Sequence, residues 1–382
     1  MRCWETTFQA GERIEGDETM STQHTFGGLA RDSGPLTSQG ATRITGKLLA
    51  TQGYVVGIEI SGSGSRQSVA LADLQGKILY RARRPLEYVP DTGTVLNLID
   101  EMLEETLTPE RLSEGRVLRV GVAVGGLVDA SRGIVRTLHH AHGWNDFPLQ
   151  DYLAKRLDRP CIIDNNANAA ALAEVVFGAA SGNEGTTRPA ERVAFYVGLG
   201  RGIGGGLVVN GKIYHGVSST AGEIGHIFVK ENGPKCSCGG YGHLEAIASA
   251  QAISRTMIGL SVDHPETEAA IRRVTGGRAE RITAEQVFRL AAEGDKVAQG
   301  ITSDVYTYLG IALANIVHII NPGIIILGGQ VAQAGELLTL PLQARLQDLC
   351  LQAASQSVRV VGGSLGTEAN IVGAVTLALQ DI

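Results

Sequence analysis

The sequence predicts an α/β fold in two lobes around a cleft, and three features predict it. The chain has 382 residues, which exceeds one ordinary core and fits two domains of roughly 100–200 residues each. From Tyr54 onward, short β-branched segments alternate with segments of helical periodicity, the grammar of a parallel or mixed sheet covered by helices. A strand, glycine turn, strand unit occurs near Tyr54 and again near Arg192, which points to a duplicated core with one copy in each half.

Residues 1–52 lack sustained periodicity and are rich in Gly, Ser, Thr and acidic residues, so they read as a flexible tail and linker. Tyr54 to Ile60 is a β-branched strand, Gly62 to Ser65 a turn, and Gln67 to Ala72 a second strand, so a hairpin opens the fold. Thr94 to Leu107 places Val95, Leu98, Ile99, Met102 and Leu103 at helical spacing, and Val117 to Val124 is an apolar strand ending at Gly125-Gly126. Pro148 to Leu157 reads as a helix, Cys161 to Asp164 as a short buried strand, and Asn168 to Gly178 as an Ala-rich helix ended by glycine. Arg192 to Leu199, the glycine turn Gly200 to Gly206 and the strand Leu207 to Ile213 form the second unit. Thr283 and Gln286 make a capping box ahead of Val287, Leu290 and Ala291. The most apolar stretch, Tyr308 to Leu327, is broken by Asn315, His318, Asn321 and Pro322. It reads as a buried helix, a turn and a buried strand rather than a membrane span. The expected lobes are 53–167, to which a segment near 362–382 returns, and 168–361.

Composition narrows the function classes. With 43% hydrophobic and 19% charged residues the chain can bury enough apolar surface to fold. Its 50 glycines follow no Gly-X-Y period, so they belong to tight turns and close backbone approaches. The formal charge of −6 argues against a general polyanion binder. Five cysteines, Cys3, Cys161, Cys236, Cys238 and Cys350, are an odd number without a secretory start, which predicts no disulfide framework and a reduced, cytoplasmic setting.

Three constellations carry chemistry. His226, Cys236, Cys238 and His243 set two thiols and two imidazoles in a glycine-rich segment, the ligand types of a tetrahedral zinc site. Protein atoms would fill all four positions, so the zinc is expected to be structural. Glu223 and Glu245 bracket this loop either as a pair of site carboxylates or, as is usual beside a metal loop, as solvated side chains or acceptors for the ligating imidazoles. Asp164-Asn-Asn-Ala-Asn168 places four polar side chains in five positions between a buried strand and a helix, where α/β sheets present ligand sites. The two glycine turns would suit either plain hairpins or phosphate cradles.

These residues resemble the ROK family of sugar kinases and sugar-responsive repressors, from about Tyr54 to the C-terminus. The most specific element is Glu223-Ile-Gly-His226 followed by Cys236-x-Cys238-Gly-x-x-Gly-His243-Leu-Glu245. The family normally carries a third Cys where this chain has His243, which keeps a ligand of another kind. The resemblance implies the two-lobed actin-like, sugar-kinase ATPase fold with a duplicated ribonuclease-H-like core. It also implies that Asn165, Glu223, His226 and Glu245 contact a sugar, and that the protein is a homodimer or tetramer.

The departures from the family pattern shape the functional expectation. Active kinases carry an Asp base in an Asn-Asp-Ala-Asn run, and here that place is Asn166. Their first phosphate loop resembles Asp-x-Gly-Gly-Thr-Lys, whereas this chain reads Glu59-Ile-Ser-Gly-Ser-Gly-Ser65. Their second has Gly-Thr-Gly, and here Arg201 stands between Gly200 and Gly202. Gly62, Gly64, Gly200, Gly202 and Gly204 are therefore read as remnants of nucleotide loops. His140 replaces a sugar-side asparagine ahead of Gly143-Trp144. No catalytic residue and no ATP are expected, only zinc and a monosaccharide or sugar derivative. The combination looks like the repressor branch, but residues 1–52 show no winged helix-turn-helix and hold five basic residues against six acidic ones, so neither DNA nor a membrane is the expected partner. The alternative is an ATP-dependent sugar kinase of glucokinase or N-acyl-hexosamine kinase type.

Overall fold

Two five-stranded sheets of one design carry the fold. The computed structural model describes residues 53–62, 66–86, 91–113, 115–138, 141–181 and 192–382, all within one compact unit. The expected N-terminal tail, Gly64 and His140 lie outside the described residues.

Strands β1 (Gly53–Ile60), β2 (Arg66–Asp73) and β3 (Ile78–Pro85) form an antiparallel meander. After helix α1 (Thr92–Thr106), β4 (Arg116–Val124) joins β1 in parallel. A small hairpin, β5 (Gly126–Asp129) and β6 (Ile134–Leu138), and helix α2 (Leu149–Leu157) precede β7 (Cys161–Asn165), which lies parallel to β4. Helix α3 (Asn166–Val176) leads to β8 (Val193–Leu199), β9 (Ile203–Val209) and the short β10 (Lys212–Ile213), again antiparallel. Helices α4 (Glu245–Ala248), α5 (Ala250–Ser261), α6 (Pro265–Thr275), α7 (Ala284–Ala292) and α8 (Lys296–Ile320) intervene before β11 (Ile324–Gly328) joins β8 in parallel. Helices α9 (Glu336–Leu349) and α10 (Gln352–Ser357) precede β12 (Arg359–Gly362), parallel to β11, and α11 (Ala369–Leu379) is the last helix. The sheet orders β3-β2-β1-β4-β7 and β10-β9-β8-β11-β12 are the same pattern twice. This is the actin-like, sugar-kinase fold with its duplicated core.

Glycines let two helices lie directly on the sheets. A Cβ at Gly121 of β4 would collide with the Ala374 carbonyl of α11, and one at Gly57 of β1 would stand 2.7 Å from Val375. A Cβ at Gly206 of β9 would come within 2.7 Å of the Ala167 carbonyl of α3. Helices α3 and α11 also touch each other, through Gly373 against Ala169. They join the two sheets. Separate cores lie on the other faces, one around Ile58, Ile99, Trp144 and Leu153, the other around Phe195, Ile253, Phe288 and Leu313.

Local signals set most boundaries. Asp91 accepts the Thr94 amide at 2.8 Å and caps α1, and Thr283 with Gln286 forms the expected capping box on α7. Helix α8 ends at Asn321 in the left-handed region, followed by Pro322, and β11 starts two residues later. By length and composition α8 would suffice to cross a membrane, yet Ile301, Val305, Leu309 and Leu313 are buried in the second core. Strand β3 had no distinct signature, because its inner partner Ala82 alternates with arginines. Helix α3 begins at Asn166, two residues before the expected start, because Asn165 and not the following asparagines supplies the cap.

Candidate functional site

The junction of β7 and α3 is a hydrogen-bonded knot. Buried Asp164 accepts from the Asn165 amide at 2.7 Å and from Asn168 Nδ2 at 3.0 Å through Oδ1, while its Oδ2 lies 2.6 Å from His215 Nε2. Asn165 caps α3 by accepting from the Ala167 amide at 2.8 Å and donates to the Gly126 carbonyl at 2.8 Å. One N–H and one lone pair remain on that amide, enough for one donor and one acceptor contact with a hydroxyl. Asn166, the first residue of α3, is partly exposed, and among the described residues its side chain has no hydrogen-bond partner.

The second glycine segment is a turn only at Gly200 to Gly202, because β9 already starts at Ile203. Gly204, Gly205 and Gly206 belong to the strand, which corrects the expectation that all of Gly200 to Gly206 is loop. Their lack of side chains serves close packing. Gly204 would place a Cβ 3.0 Å from Ala167, and Gly205 abuts the Gly222 carbonyl. Arg201 is exposed at the turn.

The backbone of Ser61, just ahead of the first turn, has a partner that sequence patterns did not reveal. Gln67, fully buried, accepts from the Ser61 amide at 2.9 Å and donates to the Ser61 carbonyl at 2.8 Å. A phosphate cradle needs free backbone N–H donors, and that of Ser61 is engaged. Glu59 accepts from Ser61 Oγ at 3.2 Å and from Asn370 Nδ2 at 3.1 Å. Gly62 is partly buried beside Gly125.

His226, Cys236, Cys238 and His243 offer ligand atoms that all lie within 4.8 Å of one another. Cys236 Sγ is 3.8 Å from His226 Nδ1, and Cys238 Sγ is 3.2 Å from His243 Nδ1. With Zn–S near 2.3 Å and Zn–N near 2.0–2.1 Å, a tetrahedral ion separates N and S donors by about 3.5 Å, so the cluster could hold a metal ion of that kind. The loop is shaped by its own backbone: the Cys236 amide donates to the Gly240 carbonyl at 2.8 Å, and the Gly242 amide to Pro234 at 2.9 Å. Gly242 has φ 68°, and a Cβ there would collide with the Lys230 carbonyl.

The start of β9 gathers these pieces. Glu245 opens α4, its Oε2 accepts from the Ile203 amide at 3.0 Å, and its Oε1 accepts from Ser237 Oγ at 2.8 Å. Glu223 precedes the 3-10 turn Ile224–His226, whose Gly225 packs against the Ile203 carbonyl with no room for a side chain. Ala167, one residue beyond Asn166, touches Gly204. The elements that bear Asn165, Glu223, His226 and Glu245 therefore meet at one strand end. His215 was not anticipated, since a lone histidine after a two-residue strand has no diagnostic spacing. The only sequence signal was Asp164, a carboxylate on a buried strand that requires a partner.

A model of the ROK family matches residues 55–381. The glucokinase of Thermotoga maritima is 34% identical over 328 residues, covering 86% of this chain and 98% of that enzyme. The xylose repressor of Bacillus subtilis is 29% identical over 328 residues, covering 86% of this chain and 77% of the repressor. The crystal structure of a ROK family glucokinase from Streptomyces griseus, in complex with glucose and AMPPNP, matches with a TM-score of 0.71 at 28% identity over 86% of this chain and 99% of that one. The matched span takes in both sheets, the Glu223 turn and the Cys-x-Cys loop, and so this chain belongs to the ROK family.

Proposed function

We propose that this protein is a sugar-sensing member of the family, the effector-binding module of a transcriptional repressor, which binds a neutral monosaccharide and transfers no phosphate. The observation that carries the reading is Asn166, a neutral amide where the family's kinases place their base. A carboxamide cannot take up the proton of a sugar hydroxyl near pH 7. The pairing of Gln67 with the Ser61 backbone supports it further, because it withdraws an amide from the first phosphate turn. Asn165, Glu223, His226 and Glu245 contact the sugar, each carboxylate suited to accept from two neighbouring hydroxyls. Zinc on His226, Cys236, Cys238 and His243 is structural and fixes the turn between Glu223 and Glu245.

One observation favours the kinase reading. The glucokinases of Halalkalibacterium halodurans and Thermotoga maritima are 32% and 34% identical to this chain, above the 29% of the Bacillus subtilis xylose repressor. Both readings are separated by thermal-shift screening with D-glucose and D-xylose alongside a coupled assay of ADP release. Binding without turnover supports the sensor, and sugar-dependent ADP release above background overturns it.

A further inference from the structure

We propose that Asp164 and His215 form a positioning pair that joins the two halves of the sugar site, so that sugar affinity is higher when His215 carries its proton. The inference rests on the sugar-binding reading above and adds a residue and a regulation to it. Asp164 lies on β7, an edge strand of the first sheet, and His215 follows β10, an edge strand of the second. Their 2.6 Å contact therefore ties sheet to sheet.

Each partner organises a different half of the site. On one side, the Asp164 carboxylate holds the Asn165 amide and Asn168 Nδ2, which fixes the cap of α3 and with it Asn165 and Asn166. On the other, the His215 carbonyl accepts from the Ala221 amide at 3.1 Å and closes the loop that delivers Gly222 and Glu223. Gly216 and Gly222, with φ 70° and 92°, form the bends of that loop. Movement of the imidazole away from Asp164 would thus shift Glu223 relative to Asn165.

Among the described residues the charge of the pair is isolated. Helix α3 presents neutral Asn168, residues 216–222 contain no titratable side chain, and Lys212 and Tyr214 beside His215 are exposed. Among the described residues Asp164 is the charged group that acts on the ring, and its side chain is only 4% exposed against 35% for His215. The hydrogen bond and charge of Asp164 hold the imidazole pKa above its ordinary value, although burial opposes this. A raised folded-state pKa means that the interaction is complete at low pH and weakens as pH climbs through that value. The neutral Nε2–H tautomer still donates to Asp164 but without charge, so the tie loosens rather than breaks.

The test uses the full chain and two probes, D-glucose and D-xylose, with calorimetric affinities from about pH 6 to about pH 9, spanning an imidazole's ordinary value of about 6.5. The wild-type affinity for the better probe should fall about fivefold or more with rising pH, the low end of typical coupling between sites. His215→Gln, which keeps a donor but no charge, should give a flat profile near the alkaline wild-type value. Every other histidine is common to both proteins, so the difference between profiles belongs to His215. A sugar-free readout stands beside it: amide exchange across residues 216–223, corrected for intrinsic rates, should speed up as pH rises in the wild type and be fast throughout in His215→Gln. Matching pH profiles in the two proteins overturn the proposal. If neither sugar binds the wild type, the sugar reading and the affinity half of the proposal both fall, and the exchange data alone decide whether the pair positions the loop.

Discussion

The backbone amide of Ile203 donates to Glu245 Oε2 across 3.0 Å, so one carboxylate fastens the second glycine turn to the loop that holds the Cys-x-Cys cluster. Gly202 leaves the carboxylate room in this position, since a Cβ there would stand 2.5 Å from the same oxygen and push it aside.

Gly202→Ala is therefore expected to displace Glu245 and weaken sugar binding. A hydrogen bond to a charged group contributes about 1.5–3 kcal/mol, and about 1.4 kcal/mol is tenfold in affinity, so a loss of about tenfold or more is the expectation for D-glucose or D-xylose. Gly200→Ala is the control, because its Cβ would meet only the Gly202 carbonyl at an ordinary 3.8 Å. Equal affinities for the two variants by calorimetry would remove Glu245 from the site.

Zinc is expected at one ion per chain. The cluster's donor spacing fits a tetrahedral ion, and binding energy of that kind is folding energy. Elemental analysis of protein purified without chelator checks the stoichiometry. Cys236→Ser and dialysis against a chelator should each lower the melting temperature, by roughly 2–4 °C or less per kcal/mol lost in a chain of this size. Unchanged melting in both experiments would exclude a structural metal.

The strands and caps were legible because their causes are local. The run Tyr54 to Ile60, the Thr283 and Gln286 box and the Asn321-Pro322 stop act within a few residues, and the elements fall where those signals put them. The cluster of candidate metal ligands was legible too, since its four side chains lie between positions 226 and 243. What stayed hidden depends on contacts between distant segments. His215 and Asp164 are 51 positions apart. Buried Glu174 accepts from the amides of Ser364 and Leu365 about half the chain away, yet in sequence it is one polar residue on an Ala-rich helix. Gln67 stood only at the start of the second strand, and its role appears only once β2 places it beside Ser61.

Gln67→Leu should destabilise the fold. It leaves the amide and carbonyl of Ser61, a residue only 8% exposed, without their partner. Each unsatisfied buried group costs about 1–3 kcal/mol. The urea midpoint should drop with little change in slope, the signature of altered stability rather than altered compactness. A midpoint equal to wild type would show that water or the chain replaces both bonds at no cost.

Asn166→Asp should not create a kinase. Proton abstraction by a positioned base typically contributes about 10²–10⁴-fold, while positioning and charge stabilisation of the transferring phosphoryl contribute more. The first phosphate turn would still have the Ser61 amide bound to Gln67 and Glu59 engaged by Ser61 and Asn370. The new carboxylate would also sit two positions from Asp164, itself buried and already holding His215, Asn165 and Asn168. ADP release by this variant with ATP, Mg²⁺ and D-glucose or D-xylose should stay at background, with the Thermotoga maritima glucokinase as positive control. The double variant Asn166→Asp with Gln67→Ala should gain more than either change alone, since it restores the base and frees the amide together. Robust turnover by Asn166→Asp alone would mean that the phosphate turns are competent as they stand, and that a single amide is all that separates this chain from an active kinase.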